Sequence, residues 1–231
     1  MQATADIAKA LDGLLPPAAR WAWRRGDGQE PLAPAEREAA AGMAAPRLAS
    51  FRAGRACARD ALAQLTGRQL EIPRGTAGEP LWPPGICGSI SHAAGHAVAA
   101  VARLDELGGL GLDLEAAGPL APAERALVAT AEERRSNPFG DDADAGRLLF
   151  AAKESVYKCI WPSLRRFVDF QEVRIEARAG QFHAEAAVDD PALRRLLKSL
   201  IGGYARVTGL LLAVASLPVG ASSLRPGSGG M

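Results

Sequence analysis

Asp113 and Glu115 stand two apart in LGLDLEA, residues 110–116, where leucines alternate with glycine or a carboxylate. Strand side chains alternate faces, so both acids point one way while Leu110, Leu112 and Leu114 anchor the other face. Paired hard oxygen ligands suit Mg²⁺, which takes one or two carboxylates together with waters and substrate phosphates. Taken alone, the pair also fits a half-exposed strand that shows its acids to water. The segment FAAKESVYK, residues 150–158, favours the metal. Glu154 and Lys158 are four apart and share one helix face, opposite Leu148, Ala152 and Val156. By themselves they form a surface ion pair worth about 0.3–0.5 kcal/mol. Facing a strand with two more carboxylates, they make a metal–phosphate site. Glu154 is then ligand and base, and Lys158 and Lys153 are mobile charges for phosphates.

Phosphate chemistry has two further candidates. GSISHAAGHA, residues 88–97, sets Ser91 and His92 at a strand end before a glycine turn. A hydroxyl, backbone N–H groups and an imidazole can cradle a phosphate there, although turn chemistry with a satisfied histidine reads the same way. His96 and His183 have no such context and are assigned to structure or surface. Arg47, Arg52, Arg55 and Arg59 lie along one helical stretch. They read either as a solvated face or as a guanidinium cluster for a polyphosphate. GLGLDLE lacks the third glycine of a dinucleotide fingerprint, and no phosphate-loop or nucleophile-elbow motif occurs.

The elements that must position these residues follow from periodicity and punctuation. Helices are expected from about Ala35, over 47–65 with Gly67 as a stop, through 121–135, over 146–161 with Pro162 ending it, and over 191–200. Strands are expected at 86–91, 97–103, 110–116, 204–207 and 210–217, with a hairpin turning at Ala179-Gly180. The Gly/Pro-rich segment 74–85 is a loop, and the tail 220–231 is expected to be flexible. GHAVAAVARL and GLLLAVASLP occupy similar late positions in two comparable halves that meet near Gly108, a weak sign of duplication.

Composition bounds the partners. The 231 residues carry a net charge of +1, which argues against nonspecific nucleic-acid binding. Of 27 basic residues only Lys9, Lys153, Lys158 and Lys198 are lysine, so two lysines in one short segment stand out. Asp6, Lys9 and Asp12 interrupt any signal-peptide core, and the apolar stretch 209–217 is too short for a bilayer. Cys57, Cys87 and Cys159 form no metal pattern and read as reduced core thiols of a cytoplasmic protein. Nothing calls for an oligomer, so a monomer is expected.

In order and spacing, FRAGRACARDAL, GEPLWP, GSISH, GLDLE and FAAKES followed by YK resemble the 4′-phosphopantetheinyl transferase superfamily. The likeness covers about 47–217 and is strongest to the single-chain bacterial group of the enterobactin-synthase component D type and its actinobacterial relatives. It implies an α+β fold of two similar α/β halves, 1–107 and 108–219, in pseudo-twofold arrangement with the cofactor cleft between them. It also implies that Asp113, Glu115 and Glu154 bind Mg²⁺ (or Mn²⁺) with the pyrophosphate of coenzyme A, and that Glu154 is the general base. His92, Arg47 and Arg55 would meet the 3′-phosphate end. Ser91 and Arg74 would hold nucleotide and phosphates, Arg74 standing where relatives usually have lysine. Lys153 and Lys158 would neutralise the pyrophosphate.

The implied reaction transfers the 4′-phosphopantetheine arm to a serine of an apo-carrier protein of fatty-acid, polyketide, siderophore or other peptide synthesis, releasing adenosine 3′,5′-bisphosphate. Arg165, Arg166 and Phe167, just past the lysine helix, are the suggested carrier contact. A metal-dependent phosphohydrolase explains the carboxylates but not the ordered motif set. A non-catalytic coenzyme A or carrier-binding module leaves three intact acids without a purpose.

Overall fold

The computed structural model describes residues 2–26 and 28–221. In chain order the elements are α1 (Gln2–Leu14), β1 (Arg20–Arg25), α2 (Pro34–Ala40), α3 (Ala45–Thr66), β2 (Ile86–Ala93), β3 (His96–Arg103), β4 (Gly109–Ala116), α4 (Pro122–Val128) and α5 (Ala131–Ser136). Then come α6 (Ala145–Leu164), a 3-10 turn (Phe170–Glu172), β5 (Val173–Arg178), β6 (Gln181–Ala186), α7 (Pro191–Lys198), β7 (Ile201–Val207) and β8 (Leu210–Leu217). The fold is mixed α+β. One antiparallel sheet has the order β1-β3-β2 and the other β4-β8-β7-β6-β5.

Each sheet carries one long helix. Cys57, Ala58, Ala61 and Leu62 of α3 pack on Ala97, Ala99 and Val101 of β3. Leu148, Ala152, Val156 and Cys159 of α6 share a core with Leu211, Ala213 and Ala215 of β8. The alternate residues of β3 and β8 face a third core, with Leu110, Leu112 and Leu114 of β4. Ile7, Leu11 and Leu15 close that core, so the N-terminal helix packs against residues of both sheets. Burial on both faces explains why β8 reads as a continuous apolar run.

Local chemistry sets the boundaries. Gly67, at φ 75°, ends α3 with its N–H on the Ala63 carbonyl at 2.9 Å. Ala179 and Gly180 both adopt positive φ, as a two-residue hairpin turn requires. The helical zone 121–135 is split, because the Thr130 hydroxyl accepts the Glu133 N–H at 3.2 Å and starts a new helix. Pro162 does not end α6. It lies inside the last turn, where its ring removes one hydrogen bond, and the Arg165 N–H still reaches the Trp161 carbonyl at 2.9 Å. Both α1 and β1 precede Ala35, where periodicity gave no element. Residues 222–231 of the expected tail lie outside the described residues. All three cysteines are buried and unbridged. Among the described residues no helix is long and apolar enough to cross a membrane.

Candidate functional site

The two sheets meet where β2 runs beside β4, and serine hydroxyls connect them. Ser89 Oγ accepts the Leu112 N–H at 2.9 Å and donates to the Leu112 carbonyl at 3.2 Å. Two residues on, Ser91 Oγ accepts the Leu114 N–H at 3.1 Å and donates to Asp113 Oδ1 at 2.8 Å. On the far side of β4, α6 comes unusually close. A Cβ on Gly111 would sit 1.9 Å from the Ser155 carbonyl oxygen, and one on Gly109 would sit 2.9 Å from that of Cys159. These two glycines precede Asp113 and Glu115 on the same strand face. Close contact at the glycines is what lets α6 side chains reach the acids.

Lys158 shows the result. Its ammonium donates to Asp113 Oδ1 at 2.6 Å, to the Leu112 carbonyl at 3.3 Å and to Ser91 Oγ at 3.4 Å. Asp113 is buried, yet its other oxygen, Oδ2, has no hydrogen-bond partner. Glu115 pairs with Arg147 of α6 at 3.1 Å. Its carboxyl pKa is raised, chiefly by burial and then by the Asp113 charge, with Arg147 and Lys158 opposing. Burial also raises Glu154, Lys158 pulls it back, and Asp113 and Glu115 push it up again. Each of the three acids thus lies within the field of the others. They stop short of a closed cluster: among the described residues no three His, Cys, Asp or Glu side chains stand together as a ready metal cage. Lysine and arginine take two of the carboxylates. The donors are all hard oxygens and one buried oxygen is bare, so the set fits a hard divalent ion.

A cationic flank continues from these acids. His92, next after Ser91, has its imidazole pKa lowered by loss of surrounding water, then by Lys158 and, more weakly, by Arg47 at the start of α3, against the pull of Asp113. Two turns along α3, Arg55 lies over the Phe51 ring at 4.6 Å. It is buried, and its Nε has no partner. Burial brings its pKa down to about 10, with Glu36 opposing and the Arg74 and Arg59 charges adding to the fall. It stays charged at neutral pH. A buried cation without an acceptor, repelled by two more, is poised for an anion. Arg74 stands at the mouth of the 74–80 loop, bridged to Pro80.

Other candidates are placed differently. Lys153 points away from the acids, with its side chain only 1% exposed. Its ammonium donates to Glu133 Oε2 at 2.7 Å and to the carbonyls of Phe170 at 2.7 Å and Val128 at 2.9 Å. All three protons are used, so it leaves the phosphate-binding set and pins the α4–α5 junction and the 3-10 turn to α6. Arg52 donates to the Gly28 carbonyl at 2.7 Å, and Arg59 pairs with Glu36. These two tie Gly28 and the first turn of α2 to α3 and form no free cationic face. Arg166 is taken by Glu172 at 2.8 Å and Asp190 at 2.6 Å, whereas Arg165 and Phe167 are exposed. A cavity of about 40 Å³ beside Glu154 is lined by Tyr157, Phe167 and Phe170. A concavity of about 820 Å³ between α1, β1 and α3 has none of the candidate residues in its lining. Periodicity gave no notice of Ser89, Arg147 or Glu133.

Two family profiles match the chain. One, described as the 4′-phosphopantetheinyl transferase N-terminal domain, covers residues 35–102; the other, the 4′-phosphopantetheinyl transferase superfamily, covers 109–205. The chain is 36% identical to 4′-phosphopantetheinyl transferase Svp of Streptomyces mobaraensis, over 74% of this chain and 72% of that one. It is 33% identical to 4′-phosphopantetheinyl transferase PptT of Mycobacterium tuberculosis, over 82% of this chain and 87% of that one. Similarity to the enterobactin synthase component D of Salmonella typhi, 38% identical, covers 48% of this chain.

Proposed function

This chain belongs to the 4′-phosphopantetheinyl transferase superfamily, and from that premise we propose how its residues perform the transfer. The enzyme moves the phosphopantetheine arm of coenzyme A onto a carrier protein. One observation carries the reading of the site. Asp113 is gripped on one oxygen by Lys158 and Ser91 and leaves its other oxygen bare, within the field of Glu154.

Asp113, Glu115 and Glu154 would hold one Mg²⁺, or Mn²⁺ in its place. When bound, the ion would polarise the pyrophosphate of coenzyme A and stabilise charge on the leaving oxygen. A serine hydroxyl is a weak nucleophile and needs a base. Glu154 would take that proton as the serine oxygen attacks the β-phosphorus. Lys158, which reaches Asp113 and Ser91, would neutralise charge on the departing adenosine 3′,5′-bisphosphate. Arg55, Arg47 and His92 take the 3′-phosphate, and Arg74 the nucleotide side. Ser91 serves through Asp113, since its hydroxyl is already engaged at the seam. We take the two halves as 1–107 and 108–219, the enzyme as a cytoplasmic monomer, and Arg165 with Phe167 as the carrier contact.

The test is intact-mass analysis of apo-carriers from fatty-acid, polyketide and peptide synthesis, incubated with coenzyme A and either Mg²⁺ or excess chelator. One carrier class should gain a phosphopantetheine, with adenosine bisphosphate released only when carrier is present. Release without carrier would favour a phosphohydrolase, and full transfer in chelator would remove the metal assignment.

A further inference from the structure

Arg147 lies outside FAAKESVYK, residues 150–158, yet it is the side chain that holds Glu115. It sits in the first turn of α6, and its guanidinium spans three acceptors. Nη1 donates to Glu115 Oε2 at 3.1 Å, Nη2 to the Pro119 carbonyl at 3.0 Å, and Nε to the Gly118 carbonyl at 3.4 Å. The same turn is tied to the helix start from the other side, because the Gly118 N–H donates to Asp144 Oδ1 at 2.6 Å. Glu115 therefore leaves β4 with one oxygen fixed against α6. Its strand neighbour on the same face, Asp113, is fixed by Lys158 from the middle of that helix.

We infer that Arg147 is a positioning residue: by binding Glu115 Oε2 and the 118–119 carbonyls together, it aims the other oxygen of Glu115 at the divalent-cation site. The inference rests on the reading of Glu115 as a metal ligand. Geometry separates positioning from simple charge balance. A guanidinium is planar and presents N–H groups in a fixed fork, so one side chain can hold a carboxylate and a turn in register. A lysine at this position keeps the charge but offers a single flexible point and cannot hold all three acceptors in that geometry. Groups that orient metal ligands typically matter about 10- to 100-fold in metal affinity or activity. Arg147 is also a cation beside a cation site, so its charge alone would weaken metal binding. Removing it would tighten binding if it had no positioning role.

The experiment measures Mn²⁺ binding to the full chain by electron paramagnetic resonance, without coenzyme A or carrier, with steady-state kinetics and thermal unfolding alongside. Arg147→Lys and Arg147→Met should both weaken Mn²⁺ binding about 10- to 100-fold, and kcat should fall while the KM for carrier stays near wild type. Asp144→Ala removes the acceptor of the Gly118 N–H without touching Glu115 or Arg147 and should keep Mn²⁺ binding near wild type. Wild-type binding in Arg147→Lys, or tighter binding in Arg147→Met, would overturn the inference. An equal loss in Asp144→Ala would also overturn it, by assigning the effect to the turn. Glu115→Ala is the reference. If it too binds Mn²⁺ normally, the metal-site reading itself fails; if it alone loses binding, only the role of Arg147 does.

Discussion

Replacing Gly111 with alanine adds one methyl group, directed at the backbone of α6. The added carbon would stand 1.9 Å from the Ser155 carbonyl oxygen and 2.6 Å from the Cys159 nitrogen, where ordinary contact begins near 3.4 Å. Backbone cannot rotate aside as a side chain can, so the helix must retreat by roughly 1.5 Å, the difference between the first and last of those distances. A retreat of that size would carry Lys158 Nζ from 2.6 Å to about 4 Å from Asp113 Oδ1, beyond hydrogen-bond reach. Glu154, on the same helix, would move with it. Overpacking of this kind costs about 1–3 kcal/mol of stability, which a folded enzyme can survive. A displacement of about 1 Å at reacting groups can cost about 100-fold in rate. Gly111→Ala should therefore remain folded in circular dichroism, melt several degrees lower, and lose about 100-fold in kcat in a carrier-modification assay. Gly109→Ala, whose added carbon meets the Cys159 carbonyl at 2.9 Å, should lose less. If Gly111→Ala turned over within threefold of wild type, close helix–strand contact would not be what brings Lys158 and Glu154 to the acids.

Lys153→Met should cost about 3–5 kcal/mol, the usual result of removing one partner from a buried pair, because Glu133 would stay buried without its cation. Coenzyme A affinity, measured by calorimetry below the melting temperature, should be unchanged; a loss there would return Lys153 to the phosphate site. Glu154→Gln should lower turnover by about 100-fold or more and, in chelator at neutral pH, should raise the melting temperature. Burial makes the ionised form of Glu154 costly in the folded chain, while the unfolded chain ionises at the ordinary glutamate value. The melting gap between variant and wild type should thus be present above the folded pKa and close as the pH falls below the ordinary one. A gap that widens toward acid would contradict the assigned direction. Arg55→Met should weaken coenzyme A binding about 10- to 100-fold, in line with charge-assisted hydrogen bonds, yet leave 3′-dephospho-coenzyme A unaffected. Equal losses for both would move Arg55 away from the 3′-phosphate.

Much of the scaffold could be read from the sequence, because its signals are local. Leucine–carboxylate alternation placed β4, and the apolar stripe of α6 placed Glu154 opposite it. The Ala179-Gly180 turn came from chemistry that needs positive φ. α1 and β1 were less accessible. Their apolar residues answer to a core built from both sheets, and RWAWRR lies among arginines that hide its alternation. The helix period already separates Lys153 from the acids. At about 100° per residue, Lys153 and Lys158 are about 140° apart on the helix while Glu154 and Lys158 differ by about 40°. If Lys158 faces the acids with Glu154, Lys153 cannot.

Ser91 and Arg147 show a harder limit. The run GSISH can be read as a phosphate cradle, since a serine before a glycine turn has that capacity. What fixes its use is the neighbouring strand: Leu114 N–H and Asp113 arrive from residues more than twenty positions away and occupy the hydroxyl. Arg147 is likewise defined by a carboxylate 32 positions earlier in the chain. Partners of that kind leave no periodicity, because neither residue requires the other for its own element to form. Spacing along one strand or helix can nominate an acid as a ligand. The groups that decide which of its oxygens is free come from a different element, and only the packing of β2 and α6 against β4 identifies them.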